Sequence, residues 1–176
     1  MKLNPDRALA ELCKRSLFRF LVEFWDVIIP ETPKFNWHME YMCEELQTLN
    51  EFVKNRQPKP YDLIINVPPG SSKSTICSHM YNAWVWTTDP AQRIISASYS
   101  HPRALSDAVK TRDIITSPKY QRLFPDVELK ADEQAKSNFK TTKGGQRFTC
   151  SPTSGVTGEH AHQLICDDLL NHAQIT

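Results

Sequence analysis

DLIINVPPGSSKST, residues 62–75, decides how the rest of the chain is read. Its first half is a short apolar run, its middle is rich in turn-forming residues, and a helical pattern begins near Lys73. Too little polar alternation is present for a half-exposed strand, so Tyr61 to Val67 reads as a buried strand of a parallel sheet. A loop that feeds a helix N-terminus aims unpaired backbone N–H groups and the positive end of the helix dipole at one anion. Within it Lys73 would add a full positive charge for phosphate, and Ser74 a hydroxyl for Mg²⁺. The phosphate-loop pattern G-x-x-x-x-G-K-[ST] is met imperfectly, because Val67 and Ser72 stand where it has glycines. A plain turn between a strand and a helix accounts for Pro-Pro-Gly-Ser-Ser equally well.

Upstream of this stretch the pattern is helical. Asn4-Pro5 is a helix start, and Leu9, Leu12, Cys13, Leu17, Phe20, Leu21, Phe24 and Ile28 recur at three- and four-residue steps until Pro30, predicting one long amphipathic helix. A second helix is predicted from Trp37 to Val53, with Met42, Leu46, Leu49 and Val53 as its buried stripe. Residues 1–56 thus form a helical arm leading into a core domain, residues 57–176.

Downstream the periods alternate. A helix carrying Ile76, Cys77, Met80, Trp84 and Val85 ends before Asp89-Pro90, RIISAS (93–98) is a strand, and Ser100 caps a helix carrying Leu105, Ala108, Val109 and Ile115. This βαβα order argues for an α/β fold with a mostly parallel sheet flanked by helices. Ser117-Pro118 opens a short helix, Asp126 to Lys136 reads as surface loop, and Lys143-Gly144-Gly145 turns a hairpin between 138–142 and 146–151. His162 to Cys166 is the last strand and delivers Asp167 and Asp168 at its C-terminal end.

Two carboxylates at the end of an apolar strand can divide labour, because successive strand residues face opposite sides. One can serve a metal and the other a water molecule. A solvated Asp-Asp turn is the plainer reading of the pair alone, but together with the Lys-Ser loop it supplies both halves of one Mg-nucleotide site.

Composition narrows the class. Lys plus Arg number 21 against 20 Asp plus Glu, a net charge of +1, so no general nucleic-acid-binding surface is implied. Five widely spaced cysteines without a C-x-x-C pair read as reduced, buried thiols. No apolar run approaches the roughly 18 residues of a membrane span, and the N-terminus lacks a signal-peptide pattern, so a soluble, uncleaved protein is expected. His160, His162, Cys166 and His172 cluster near the chain end without the paired spacing of a zinc site, and Cys166 reads as core.

Pro68 to Ser74, Trp84, Trp86, Thr88 to Pro90, Ile95 to Ser100, Asp107 to Asp113 and Thr157-Gly158-Glu159, taken together, resemble the large terminase subunits of tailed bacteriophages and prophages. The resemblance runs from about Pro33 to Asn171 and corresponds to that family's N-terminal ATPase domain. It implies an ASCE-type P-loop ATPase in the host cytoplasm, a ring of identical subunits that works with a portal protein and a small terminase subunit to drive double-stranded viral DNA into a capsid. It implies ATP and Mg²⁺ as cofactors, held by Pro69, Gly70, Ser71, Ser72, Lys73, Ser74 and Thr75. By position, Ser74 and Asp167 take the metal, Lys73 the phosphates, and Asp168 the place of the catalytic carboxylate. The opening of the second helix resembles the family's adenine-pocket segment, with Phe35 and Trp37 as stacking surfaces or, more plainly, Trp37 as a hydrophobic anchor.

Departures from the family pattern shape the remaining expectations. Asp168 stands where Glu is common, Gly70 and Thr157 where arginines are frequent, and Leu169 where proline is frequent. Arg147 is the nearest substitute for an arginine reaching a neighbouring subunit, unless it is an exposed hairpin residue. Isolated hydrolysis is therefore expected to be slow or absent. The family's later ATPase strands and its nuclease domain do not follow Asp168, and a non-catalytic nucleotide-binding remnant or an interaction protein from a truncated prophage gene is the alternative. In the implied sheet a further strand separates Ile64-Ile65 from Leu164-Ile165. A slot of about two strand spacings, roughly 10 Å, is expected there, with poor solubility or marginal stability of the chain.

Overall fold

The protein is described by a computed structural model covering residues 4–135, 138–152 and 158–169. Eleven residues after Asn4 form α1 (Pro5–Arg15), with the Asn4 side chain accepting from Asp6 N–H and Pro5 in the first turn. The single long N-terminal helix expected from the periodicity is broken at Ser16, whose extended backbone ends α1 and whose hydroxyl caps α2 (Leu17–Ile28) by accepting from Arg19 N–H. Gln47 makes the break tolerable. Its Oε1 accepts from Leu17 N–H at 2.9 Å and its Nε2 donates to the Arg15 carbonyl at 3.0 Å, so backbone groups freed by the break are satisfied. Leu12, placed on the buried stripe by the periodicity, is exposed.

Gln47 belongs to α3 (Trp37–Lys54), which packs on α2. The helix after the turn-rich loop starts at Lys73, is π-helical over Thr75–Met80, and continues as α4 (Tyr81–Thr88). Then come β1 (Arg93–Ser98), α5 (His101–Thr116), α6 (Pro118–Leu123), β2 (Leu129–Ala135), β3 (Asn138–Thr141), β4 (Gln146–Cys150) and β5 (Gln163–Asp167). Ser100 and Ser117 cap α5 and α6 with their hydroxyls.

The strands form one sheet in the order β2-β3-β4-β1-β5. β1 pairs in parallel with β4 and β5, with Ser96 opposite Thr149 and Ile165. β2-β3-β4 pair antiparallel, so the sheet is mixed rather than mostly parallel. The hairpin turn is closed by Thr141 N–H to the Gly145 carbonyl, with Gly144 at φ 89°. β2 lies where a surface loop was expected. Its polar sequence LKADEQA hides a strand, and the register shift between Leu129 and Gln134 further blurs any alternation.

The buried strand expected over Tyr61 to Val67 does not form. Residues 62–68 carry no strand pairing, and Ile64 is 89% exposed. Ile65 and Val67 do pack against the core. Between this segment and β5 lies a cleft of about 420 Å³, lined by Leu46, Leu49, Leu63, Ile65, Leu164 and Cys166 among others. The slot expected within the sheet presupposed a strand at Ile64-Ile65, which is not there; a cleft separates the segment from β5 instead, and no backbone bond joins 63–66 to 163–166. Cys166, read as core from its apolar neighbours, is exposed on β5, while the other four cysteines are buried.

The core joins the arm and the sheet's helices. Phe20 and Phe24 of α2 stack on each other and meet Tyr120 and Phe124, and Trp84 and Trp86 are fully enclosed. Buried indole and phenol groups need partners. Trp84 Nε1 donates to the Cys13 carbonyl, Trp86 Nε1 to the Gln92 carbonyl, and Tyr120 Oη to the Ala83 carbonyl.

Candidate phosphate-loop site

Pro68 begins a tight loop in which Ser71 returns both its N–H and its hydroxyl to the Pro68 carbonyl. Gly70 (φ 81°) and Ser72 (φ 63°) both lie in the left-handed region, which costs an L-residue with a Cβ about 1–2 kcal/mol. Ser72 therefore holds a glycine-like conformation at the place where the phosphate-loop pattern has glycine. From Lys73 the chain enters its helix, with Ile76 N–H returning to the Ser72 carbonyl. Residues 67–75 and Asp168 enclose a concavity of about 320 Å³ that contains every loop residue singled out in the sequence.

The two acids meet this loop. Lys73 Nζ lies 2.7 Å from Asp168 Oδ1 and 3.0 Å from Asp167 Oδ1. Ser74 hydrogen-bonds to the Asp167 carboxyl, and Ser78 Oγ donates to Asp167 Oδ2 at 3.0 Å. Residues 95 positions apart are thus brought into contact by β5 running alongside the helix N-terminus. Burial pushes the Asp167 carboxyl up, but Ser74, Lys73 and Ser78 outweigh it and hold it below the usual carboxylate range. Burial likewise pulls the Lys73 ammonium down, and its bonds to Asp168 and Asp167 turn the net shift upward.

Asp167 and Asp168 differ in exposure as well as direction. Asp167 is buried at the end of β5. Asp168 takes a left-handed backbone (φ 48°), a conformation Asp tolerates better than most residues, and its side chain is 67% exposed. Its carbonyl accepts from Tyr99 N–H at 3.0 Å, which fixes the backbone, while the exposed carboxylate reaches Lys73.

Ser74 and Asp167 offer a hydroxyl and a carboxylate in contact, hard oxygen donors of the kind Mg²⁺ takes one or two at a time alongside phosphate oxygens and water. Among the described residues no group of three His, Cys, Asp or Glu is arranged around a common metal position. His162 Nδ1 is occupied in accepting from Arg93 N–H. His172, Thr157 and Asn171 lie outside the described residues.

Three further residues differ from expectation. Phe35 is half-buried against the core, edge-on to Phe18 and Trp25, rather than a freely exposed ring. Trp37 is 79% exposed and anchors nothing; its neighbour His38 reaches the Ser71 carbonyl of the loop at 3.3 Å. Arg147 is fully buried, neither an exposed hairpin residue nor an arm toward another subunit, because its side chain turns inward onto Ser78 and Thr149. Ser78 itself was missed. Its position one helical turn beyond Ser74 on the same face was the available signal.

Comparison of the chain with known protein families, curated proteins and solved structures gives no match.

Proposed function

We propose that residues 67–75 with Asp167 and Asp168 bind a Mg-nucleoside triphosphate, and that the chain is the ATPase domain of a terminase-type DNA-packaging motor. The observation that carries the nucleotide reading is Lys73, seated in the loop between both acids at 2.7 and 3.0 Å. An ammonium ion already paired with two carboxylates at a helix N-terminus can exchange them for phosphate oxygens as the ligand enters. Ser74 and Asp167 would hold Mg²⁺, which when bound neutralises charge on the phosphates. Asp168, exposed on a backbone held by Tyr99, would orient the attacking water and accept its proton. The exposed ring of Trp37, next to the loop through His38, is available to a nucleobase.

The motor assignment rests on the sequence resemblance. It carries with it double-stranded viral DNA as cargo, a homo-oligomeric ring, portal and small-subunit partners, and the bacterial host cytoplasm. No helix among the described residues is long and apolar enough to cross a membrane. A non-catalytic nucleotide binder is the second reading, favoured by the burial of Arg147, which removes the one named donor of an arginine to a neighbouring site. Such an arginine is worth about 10³ to 10⁵ in rate in related phosphoryl-transfer enzymes.

Titration with a fluorescent ATP analogue and Mg²⁺ tests the site. Lys73→Ala should weaken binding about a hundredfold, two tenfold steps of about 1.4 kcal/mol each. Equal affinity in both proteins would remove the assignment. Turnover that disappears in Asp168→Asn separates the ATPase from the non-catalytic binder.

A further inference from the structure

Arg147 is a guanidinium enclosed in the core, on β4, and its burial lowers its pKa to about 10 despite the Asp107 carboxylate. No salt bridge to it forms among the described residues, because Asp107 is engaged by His79 Nε2 at 2.8 Å and Arg103 Nε at 3.6 Å. Enclosing a charge without a direct counter-ion costs several kcal/mol, and an apolar side chain of similar length would fill the space more cheaply. The guanidinium is therefore explained by what it bonds.

Its Nη2 donates to the Ser78 carbonyl at 3.2 Å. That oxygen also receives Asn82 Nδ2 at 2.9 Å and Thr111 Oγ1 at 3.1 Å, three side-chain donors on one carbonyl. Ser78 lies within the π-helical stretch Thr75–Met80, an irregularity that recurs at functional sites. The same residue's hydroxyl holds Asp167 Oδ2. One residue thus links Arg147 to the strand-end carboxylate in two hydrogen bonds.

A second link passes through a void of about 10 Å³ lined by Ser78, Ser96, Asp107, Arg147 and Asp167 among others. Arg147 Nε and Ser96 Oγ are both buried and have no hydrogen-bond partner among the described residues. A polar void of about one probe sphere with two to four polar neighbours meets the requirement for a single ordered water.

We propose that Arg147 is a positioning residue of the phosphate-loop site, fixing the π-helical turn through the Ser78 carbonyl and, with Ser96, one buried water behind Asp167. It orders Ser78 and Asp167 without touching nucleotide or metal. The functional half of this proposal rests on the nucleotide reading above; the structural half does not.

The test compares the full chain with Arg147→Met, which keeps the apolar stem, Arg147→Lys, which keeps one charge-bearing donor, and Ser96→Ala. Amide hydrogen exchange is read over 75–80 and 163–167 and, as control, over 37–54, alongside Mg-nucleotide affinity. Arg147→Met should raise exchange at both site segments together, leave 37–54 unchanged, and weaken Mg-nucleotide binding about tenfold, as loss of a charge-assisted hydrogen bond does. Arg147→Lys should recover part of both effects, and Ser96→Ala should move both the same way by less. A crystal structure with an ordered water bonded to Arg147 Nε supports the water, and a dry void overturns it. Unchanged exchange over 75–80 in a folded Arg147→Met overturns the positioning role. If that variant does not fold, Ser96→Ala decides on the same readouts. Failure of the parent chain to bind nucleotide removes the proposed function, while the exchange comparison still judges the Arg147–Ser78–Asp167 link.

Discussion

β2, the outer strand on one side of the sheet, reads LKADEQA, whereas β5, the outer strand on the other, reads QLICD and opens onto the cleft beneath residues 62–67. The polar segment is a paired strand and the apolar DLIINV segment is not. Completion of backbone hydrogen bonds, rather than hydropathy, separates the two. β2 has β3 beside it, and charges along an outer strand discourage further pairing. Across the cleft from β5, residues 62–67 make no strand pairing among the described residues, and Ile64 and Leu164 (65% exposed) are apolar and accessible.

The comparison is broken most decisively at Phe139, which is enclosed on β3 and stands edge-on to Trp86 at 5.8 Å. Phe139→Ala should cost about 3–5 kcal/mol in urea denaturation, against less than about 0.5 for Leu164→Ala on the open side. Equal losses would mean that both flanks are packed alike. A smaller effect is expected at the hairpin turn, where a Cβ on Gly145 would sit 2.3 Å from the Pro90 carbonyl oxygen and 3.0 Å from that of Gln92. These are backbone atoms, so Gly145→Ala should destabilise by about 1–3 kcal/mol, measured the same way; an unchanged midpoint would show that the turn can shift freely.

Acid should act on the open side. The Asp167 carboxyl is held below its ordinary value in the fold, so its stabilisation is complete above the unfolded pKa and is lost as pH falls through the folded one. Melting temperatures taken from pH 7 to pH 3 should fall less steeply in Asp167→Asn than in the parent chain. Parallel curves would separate the Lys73–Asp167 contact from stability. The smallest change in folding energy belongs to Ile64→Lys combined with Leu164→Lys, expected to leave the urea midpoint nearly unchanged while reducing self-association in light scattering. A large drop in stability would show that these side chains are packed after all.

Sequence reading succeeded where a local signal suffices. RIISAS followed by Ser100, Ser117 before Pro118, and the Lys-Ser pair after a Pro-Gly turn each carry their own cap or turn chemistry, and the structure has β1, α5, α6 and the loop at those places. The contact of Lys73 with Asp167 and Asp168 was legible from the Lys-Ser loop feeding a helix and the acids closing an apolar strand, although the strand expected before the loop is absent. What failed depends on neighbours distant in sequence. A strand at 62–67 needs a partner, β2 owes its state to β3, and an arginine between Gln146 and Phe148 carries no mark of its enclosure by Ser78 and Thr149. Ser78 was within reach of helical periodicity, but its bond to Asp167 requires the register of β5.

The bracket that Gln47 places on the break at Ser16 has a consequence for the order of assembly. Ser16 is compatible with a helix interior at small cost, and the apolar periodicity runs unbroken from Leu9 to Ile28. Within residues 4–28 the local signal for an interruption is the Ser16 hydroxyl, which caps α2. During synthesis these residues leave the ribosome before Gln47 does, so the Leu17 N–H and the Arg15 carbonyl gain their amide partner only once α3 has been made. The elbow is thus marked locally by Ser16 and completed from outside by Gln47, and Gln47→Ala should loosen it by leaving both backbone groups without that partner, read as faster amide exchange at Leu17.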